Sequence, residues 1–186
     1  MTGAAVTRLS VHSVVAPPRA LRATTNFAAI AAELRRIDVS FDRWATPAGL
    51  NEDSDAERVL SAYAKPVDYL RRSRGYSTAD VARVKRGDDT ALAMRAKFLA
   101  EHTHDDDEAR FFVEGGGCFY LRDGDQVLAV ACEAGDLLLI PAGVRHWFDM
   151  GLDPCFTAIR FFSHSQGWVA TLTGDKIADA FPAFEG

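Results

Sequence analysis

Residues 98–115 read FLAEHTHDDDEARFFVEG, and the spacing inside this stretch decides the reading of the whole chain. Successive side chains of a strand point to opposite faces. Read as a strand, Phe98, Ala100, His102 and His104 share one face, and Lys97, Leu99, Glu101 and Thr103 share the other. Asp105-Asp106-Asp107 is a poor strand and a good turn. Beyond it, Glu108, Arg110 and Phe112 form a second same-face set. A turn that folds the second set beside the first lets two histidines and one glutamate converge on a point.

Residues 135–150, GDLLLIPAGVRHWFDM, supply the fourth member. Gly135-Asp136 turns, Leu137 to Ile140 is a short buried run, and Pro141-Ala142-Gly143 turns again. A new strand then starts over Val144 to Phe148, with His146 and Phe148 on one face by parity. Imidazole nitrogen and carboxylate oxygen suit Fe(II), Ni(II), Mn(II) or Zn(II) better than Ca(II) or Cu(I). No cysteine lies in the cluster, which argues against a structural zinc site. His12 and His164 stand alone and read as ordinary surface or satisfied core residues. Asp105, Asp106 and Asp107 read as a solvated turn. Arg110 shares its parity with Glu108 and is expected to point into the pocket.

The rest of the chain narrows the class. At 186 residues, one domain is the simplest organisation. About half the residues (48%) are hydrophobic and a quarter charged, enough to fill a core. A net charge of −5 leaves no nucleic-acid footprint, and no basic run suggests a membrane surface. No apolar stretch reaches transmembrane length, and MTGAAVTRLS lacks the basic-then-apolar pattern of a signal peptide. Cys118, Cys132 and Cys155 are odd in number, without CxxC spacing, and read as reduced core thiols of a cytoplasmic protein.

The first half reads as a mixed flank. A strand is expected over Arg8 to Val15, stopped by Pro17-Pro18. Asn26 can cap a helix running to about Ile37, and Val39 to Trp44 reads as a strand. Asp53 to Tyr63 reads as a helix with an acidic start. Pro66 opens another through Arg72, ended by Gly75. Val81 to Val84 reads as a strand, and Asp88 or Asp89 begins a short helix towards Lys97. The second half is mostly β. Strands are expected over Cys118 to Leu121, Gln126 to Ala131 and Phe156 to Phe162, with Asp123-Gly124 as a hairpin turn. Gly174-Asp175 leads a short helix up to Pro182. The Gly-rich runs precede no helix and so read as turns, not phosphate loops. Many short, closely spaced strands argue for a sandwich or barrel.

The spacing also resembles a known pattern. His102-Thr-His104, three residues, Glu108, six residues and Gly115 resemble the first cupin motif. Gly135, five residues, Pro141, one, Gly143, two and His146 resemble the second. Ala96 replaces the usual leading glycine of the first motif and Met150 the trailing asparagine of the second; neither is a ligand position. Within cupins, the chain is most similar to the acireductone dioxygenase family. The likeness is carried by KFLAEHTHDDDEARFFVEGGG, HWFDMG, FTAIRFF, GWVA and LTGDKIA, and in the first half by TTNFAAIAAEL, FDRW and RGYSTADV.

The resemblance implies a mainly β fold, a cupin double-stranded β-helix barrel with a helical N-terminal flank. The flank would occupy about residues 1–94 and the metal-binding core about 95–172 of one domain spanning 1–186. It implies one Fe(II) or Ni(II) per chain on His102, His104, Glu108 and His146. Pocket residues fall on Phe98, Arg110, Phe148, Arg160 and Trp168. Arg110 is the expected catalytic group, with Glu101 beside it only as a candidate acting from the opposite strand face. The family cleaves 1,2-dihydroxy-3-keto-5-methylthiopentene with O2 in methionine salvage. With Fe(II) the products are 2-keto-4-methylthiobutyrate and formate; with Ni(II) they are 3-methylthiopropionate, formate and carbon monoxide. A family-like monomer is expected.

Counting coordination positions adds a mechanism. Four protein ligands leave two octahedral positions, which a chelating enediolate fills. Dioxygen must then attack the bound, electron-rich substrate, with the metal as Lewis acid and template. A divalent ion with Glu108 and Arg110 carries two net positive charges, matched to a dianion. The competing class is a cupin that isomerises or merely binds another small molecule; oxygen uptake separates the two.

Overall fold

The computed structural model describes residues 6–47, 49–51, 53–164 and 167–185. The first five residues, part of the opening segment read above, lie outside that set. In chain order the elements begin with strands β1 (Arg8–Ser13) and β2 (Ala20–Thr24), helix α1 (Phe27–Arg35) and strand β3 (Ser40–Arg43). Helices α2 (Ala56–Ala62) and α3 (Ala64–Arg74) precede β4 (Thr78–Val84) and α4 (Ala91–Phe98). The second half is β5 (His102–Thr103), β6 (Glu108–Gly115), β7 (Gly117–Asp123), β8 (Gln126–Cys132), β9 (Asp136–Ile140), β10 (His146–Asp149), β11 (Phe156–Phe162) and β12 (Thr171–Leu172). A 3-10 turn over Ile177–Ala180 follows.

The strands form two antiparallel sheets, ordered β12-β5-β10-β7-β8-β1-β2 and β3-β9-β6-β11-β4. Their inner faces share one apolar core. Leu9, Phe119, Leu128 and Phe148 come from the first sheet, and Phe112, Leu138 and Phe156 from the second. Helix α1 adds Ile30 and Leu34 to this core. This is the expected mainly β cupin barrel, but the N-terminal part is not only a helical flank: β1 and β2 extend one sheet and β3 and β4 edge the other.

Two-sided burial explains the uninterrupted apolar run of β9. Leu138 and Ile140 face the inner core. Leu137 and Leu139 face outward, under Val59 and Tyr63 at α2 and Val67 and Leu70 of α3. Strand β6 behaves alike, with Phe112 inward and Phe111 outward. The first sheet is covered by the chain's end, where Phe181 packs edge-on against Trp147 and Tyr120. Among the described residues no helix is long and apolar enough to cross a membrane.

Local chemistry explains most boundaries. The Asn26 side chain accepts from Ala29 N and caps α1, and Asp55 accepts from Arg58 N and caps α2. Gly75 closes α3 with φ +77°, a conformation that side chains with a Cβ disfavour.

Several boundaries differ from the sequence reading. Phe98 ends helix α4 instead of starting a strand. ALAMRAKF is built of strong helix formers without a β-branched residue, so local propensity carries the helix to that point. Only His102–Thr103 is paired as a strand there. Strand β4 starts at Thr78 and not Val81, because pairing along all of β11 stabilises its polar first half. Strand β2 has no buried residue and no alternation to betray it. Strand β10 begins at His146, not Val144. Cys118 and Cys132 are buried thiols, and burial pushes Cys118 up to about 12; Cys155 is only half-buried.

Candidate metal centre

Both sheets contribute to the site. His102 on β5 and His146 on β10 are direct cross-strand partners, with ring centroids 4.6 Å apart. His104 follows β5 and its ring lies 5.1 Å from that of His146. Glu108 opens β6, in the opposing sheet. The two signature segments also hold each other. Gly143 N donates to His104 O at 2.9 Å, and Ala142 N to Asp107 Oδ1 at 3.0 Å. The Pro141–Gly143 turn thus clasps the Asp105–Asp107 turn and fixes His104 against Glu108.

Three nitrogen atoms, one from each of His102, His104 and His146, lie within 4.8 Å of one another, and all three residues are buried. Glu108 Oε2 sits 3.2 Å from Nε2 of both His104 and His146. The other ring nitrogens are engaged. Nδ1 of His102 faces Ala100 O at 2.7 Å, that of His104 faces Val169 O at 3.1 Å, and that of His146 faces Val144 O at 2.8 Å. A carbonyl only accepts, so each Nδ1 carries a proton, and in the neutral ring each Nε2 is a bare lone pair.

That arrangement tests the fit of a metal directly. Lone pairs of imidazole nitrogen and carboxylate oxygen at 3.2 Å repel unless a cation lies among them. An N3O donor set, oriented by hydrogen bonds on the far side of each ring, suits a first-row divalent ion. The residues present therefore fit the metal.

The electrostatics agree. Burial would raise the Glu108 carboxyl, but Arg110 and the two neighbouring imidazoles hold it well below its usual range. Burial lowers His102, with the facing histidines adding to the effect. Burial also pulls His104 down, yet its contact with Glu108 outweighs this and the net shift is upward.

Arg110 stands two residues after Glu108 on the same face of β6. Its Nη2 donates to Glu108 Oε1 at 2.9 Å. Its guanidinium lies 4.5 Å from the Phe148 ring, 5.0 Å from Phe119 and 5.6 Å from Trp168. Burial lowers its pKa while Glu108 opposes that shift; a guanidinium stays charged regardless. Its Nε–H and the Trp168 indole N–H are buried donors without a partner among the described residues. Both residues line a cavity of about 510 Å³ that also reaches His102, His104, Glu108 and His146. Phe98, Phe148 and Arg160 line it too. The cavity therefore offers a charged end and an aromatic wall, as a small anion with an apolar tail requires.

A model of the ARD/ARD' family matches residues 11–170. The chain belongs to the ARD/ARD' family. An acireductone dioxygenase from Parvibaculum lavamentivorans is 51% identical over 180 residues, covering 97% of this chain and 98% of that one. One from Enterobacter sp. is 47% identical over 174 residues, covering 94% and 97%. Among solved structures, an acireductone dioxygenase from Bacillus anthracis with a cadmium ion in its active centre superposes with a TM-score of 0.79. It is 29% identical and covers 91% of this chain and 99% of that chain.

The structure of this ARD/ARD' member brings most of the expected residues to one cavity. His102, His104, Glu108 and His146 come together, and Phe98, Arg110, Phe148, Arg160 and Trp168 line the same cavity. Phe98 does so from a helix end, not by strand parity. Glu101 stands apart. Its carboxylate accepts from Thr173 Oγ1 at 2.7 Å and Arg122 Nη1 at 3.3 Å, and it is absent from the cavity wall.

Beyond the expected site residues the wall includes Thr78, Asp80, Lys97, Phe162, Gly167 and Ala170. Parity along β4, read from Thr78, would have put Thr78 and Asp80 on one face with Val84. His164, read as ordinary, is largely exposed yet reaches the cavity rim, with Nε2 2.5 Å from Asp106 Oδ2. His12 is satisfied by Ser10 and the Pro17 carbonyl.

Proposed function

We propose that this protein cleaves the acireductone 1,2-dihydroxy-3-keto-5-methylthiopentene with O2, using one Fe(II) or Ni(II). The observation that carries the proposal is the convergence of three Nε2-directed imidazoles and Glu108 beside a buried arginine in one cavity. His102, His104, Glu108 and His146 would hold the ion. When bound, it would supply Lewis acidity and a template for an enediolate.

The remaining steps belong to side chains of this chain. The unpartnered Nε–H of Arg110 is the donor offered to a substrate oxygen. Its salt bridge to Glu108 keeps that carboxylate ionised and oriented. Phe98, Phe148 and Trp168 provide the apolar wall for a thioether tail and exclude water from the reacting end. Glu101 acts at one remove, as a positioning residue. With Thr173 and Arg122 it secures the backbone just before His102. The protein is proposed to act as a single-domain cytoplasmic monomer, a state that light scattering checks.

The deciding experiment is a product assay. Protein stripped of metal is reloaded with Fe(II) or Ni(II) separately and given an acireductone in air. Keto acid and formate from the iron form, with carbon monoxide only from the nickel form, are expected. Consumption no faster than the metal-free control in both would return the chain to an isomerase or a non-catalytic binder.

A further inference from the structure

Arg160 on β11 lies directly opposite Arg110 on β6, and both line the cavity. Like charges directly opposite on a sheet repel. Each has its own carboxylate. Arg110 has Glu108, deep in the site. Arg160 has Asp80, its cross-strand partner on β4, through two bonds: Nε to Oδ1 at 2.8 Å and Nη2 to Oδ2 at 2.6 Å. Asp80, Arg160 and Arg110 therefore form one row across three strands, running from the cavity mouth towards the metal centre.

The two pairs differ in setting. Side chains of Arg110 and Glu108 are 7% and 4% exposed, whereas those of Arg160 and Asp80 are 32% and 48% exposed. The inner pair is locked, and the outer one lies within reach of incoming solutes. Arg160 is also 5.3 Å from the Phe162 ring and 5.9 Å from that of Trp168, so it rests on the aromatic wall. Of the other basic groups on the wall, His164 faces Asp106, and Lys97 is exposed and screened by solvent.

The charges then have a specific sum. A divalent ion, Glu108 and Arg110 leave two positive charges, which a dianionic enediolate neutralises. Asp80 cancels Arg160 and keeps the sum at two. Without Asp80 the wall would carry a third positive charge on a guanidinium free to turn inward.

We propose that Asp80 is an affinity-setting residue, which engages Arg160 and so prevents the cavity from over-binding its anionic substrate and carboxylate products. This rests on the dioxygenase reading for the identity of those anions, but the charge balance itself does not need turnover. The expected signature is unusual for an alteration in an active-site wall: binding becomes tighter.

The test compares wild type, Asp80→Asn, Asp80→Ser and the double variant Asp80→Asn with Arg160→Gln, all loaded with Ni(II). Turnover gives KM, kcat and inhibition by added 3-methylthiopropionate. Calorimetry with 3-methylthiopropionate gives binding without turnover. Both Asp80 variants should lower KM and the product dissociation constant by about three- to tenfold, with the gain shrinking at high salt. The double variant should lose the gain. Unchanged or weaker carboxylate binding in both single variants overturns the proposal, as does a gain that persists without Arg160. If wild type consumes no acireductone, the dioxygenase reading fails, while calorimetry still decides the role of Asp80.

Discussion

His102 and His146 are 44 positions apart in the chain and directly opposed on neighbouring strands, their rings 4.6 Å apart. Neither ring makes the candidate metal centre alone. Their Nδ1 atoms are each held by a carbonyl two residues back, at 2.7 and 2.8 Å, so the same local bond orients both.

Replacing His146 by Ala should abolish tight Ni(II) or Fe(II) binding while leaving the fold intact. Partners that merely orient a ligand are worth about 10–100-fold in metal affinity, and losing a ligand should cost more. Bound metal per chain after dialysis is the readout. Full occupancy in the variant would remove His146 from the ligand set.

Arg110→Ala should lower kcat/KM by about 10²–10³-fold, the scale for losing one buried donor aimed at developing charge. Arg110→Lys should not restore it. An ammonium lacks the planar fork that bonds Glu108 while lying over Phe148 and Phe119. A near-native rate in either variant would exclude this role.

Glu101→Gln separates positioning from proton transfer. Its carboxylate meets Thr173 and Arg122, not the cavity. The expected outcome is weaker metal retention, with activity recovered by adding metal. Loss of a general base would instead cost about 10²–10⁴-fold at saturating metal.

Gly117→Ala should damage the cavity from behind. A Cβ at Gly117 would collide with the Phe148 ring, which lines the cavity and underlies Arg110. Overpacking of this kind costs about 1–3 kcal/mol. Chemical denaturation reads the stability, and an altered KM reports the displaced ring; an unchanged variant would show that Phe148 yields freely.

Arg95 and Asp149 give a pH signature. Burial would raise Asp149, but Arg95 and the Phe184 and Gly151 amides hold it below its usual value. A folded pKa below the unfolded one means that the stabilisation is complete above the unfolded value of 3.8 and is lost as pH falls through the folded one. Arg95→Ala should cost roughly 3–5 kcal/mol at neutral pH, because it removes the countercharge of a buried carboxylate and leaves it only two amide donors. The gap to wild type should close below pH of about 4. A pH-independent gap would mean that packing, not charge, is lost.

Legibility in the sequence followed the range of the interactions. The helix cap at Asn26, the stop at Gly75 and the hairpin at Asp123-Gly124 are settled within a few residues, and all are readable; the start of α2, expected at Asp53, falls after the Asp55 cap. Strand β2 and the first half of β4 are not readable. They owe their conformation to pairing with β1 and β11, and their own side chains carry little alternation. Phe98 is a different case: strand parity does not run through a segment whose local propensity is helical.

The sequence by itself determined the donor chemistry: which imidazoles and carboxylate are present, and the turn that returns Glu108 and Arg110 towards His102 and His104. Those features depend on residue type and on spacing within one or two strands. Only the tertiary structure decided that Asp80 holds Arg160, that Thr173 and Arg122 draw Glu101 away from the cavity, and that Arg110 and Arg160 face each other. These are contacts between residues 21 to 80 positions apart or across sheet register, and register is fixed by how whole faces pack, not by any short string.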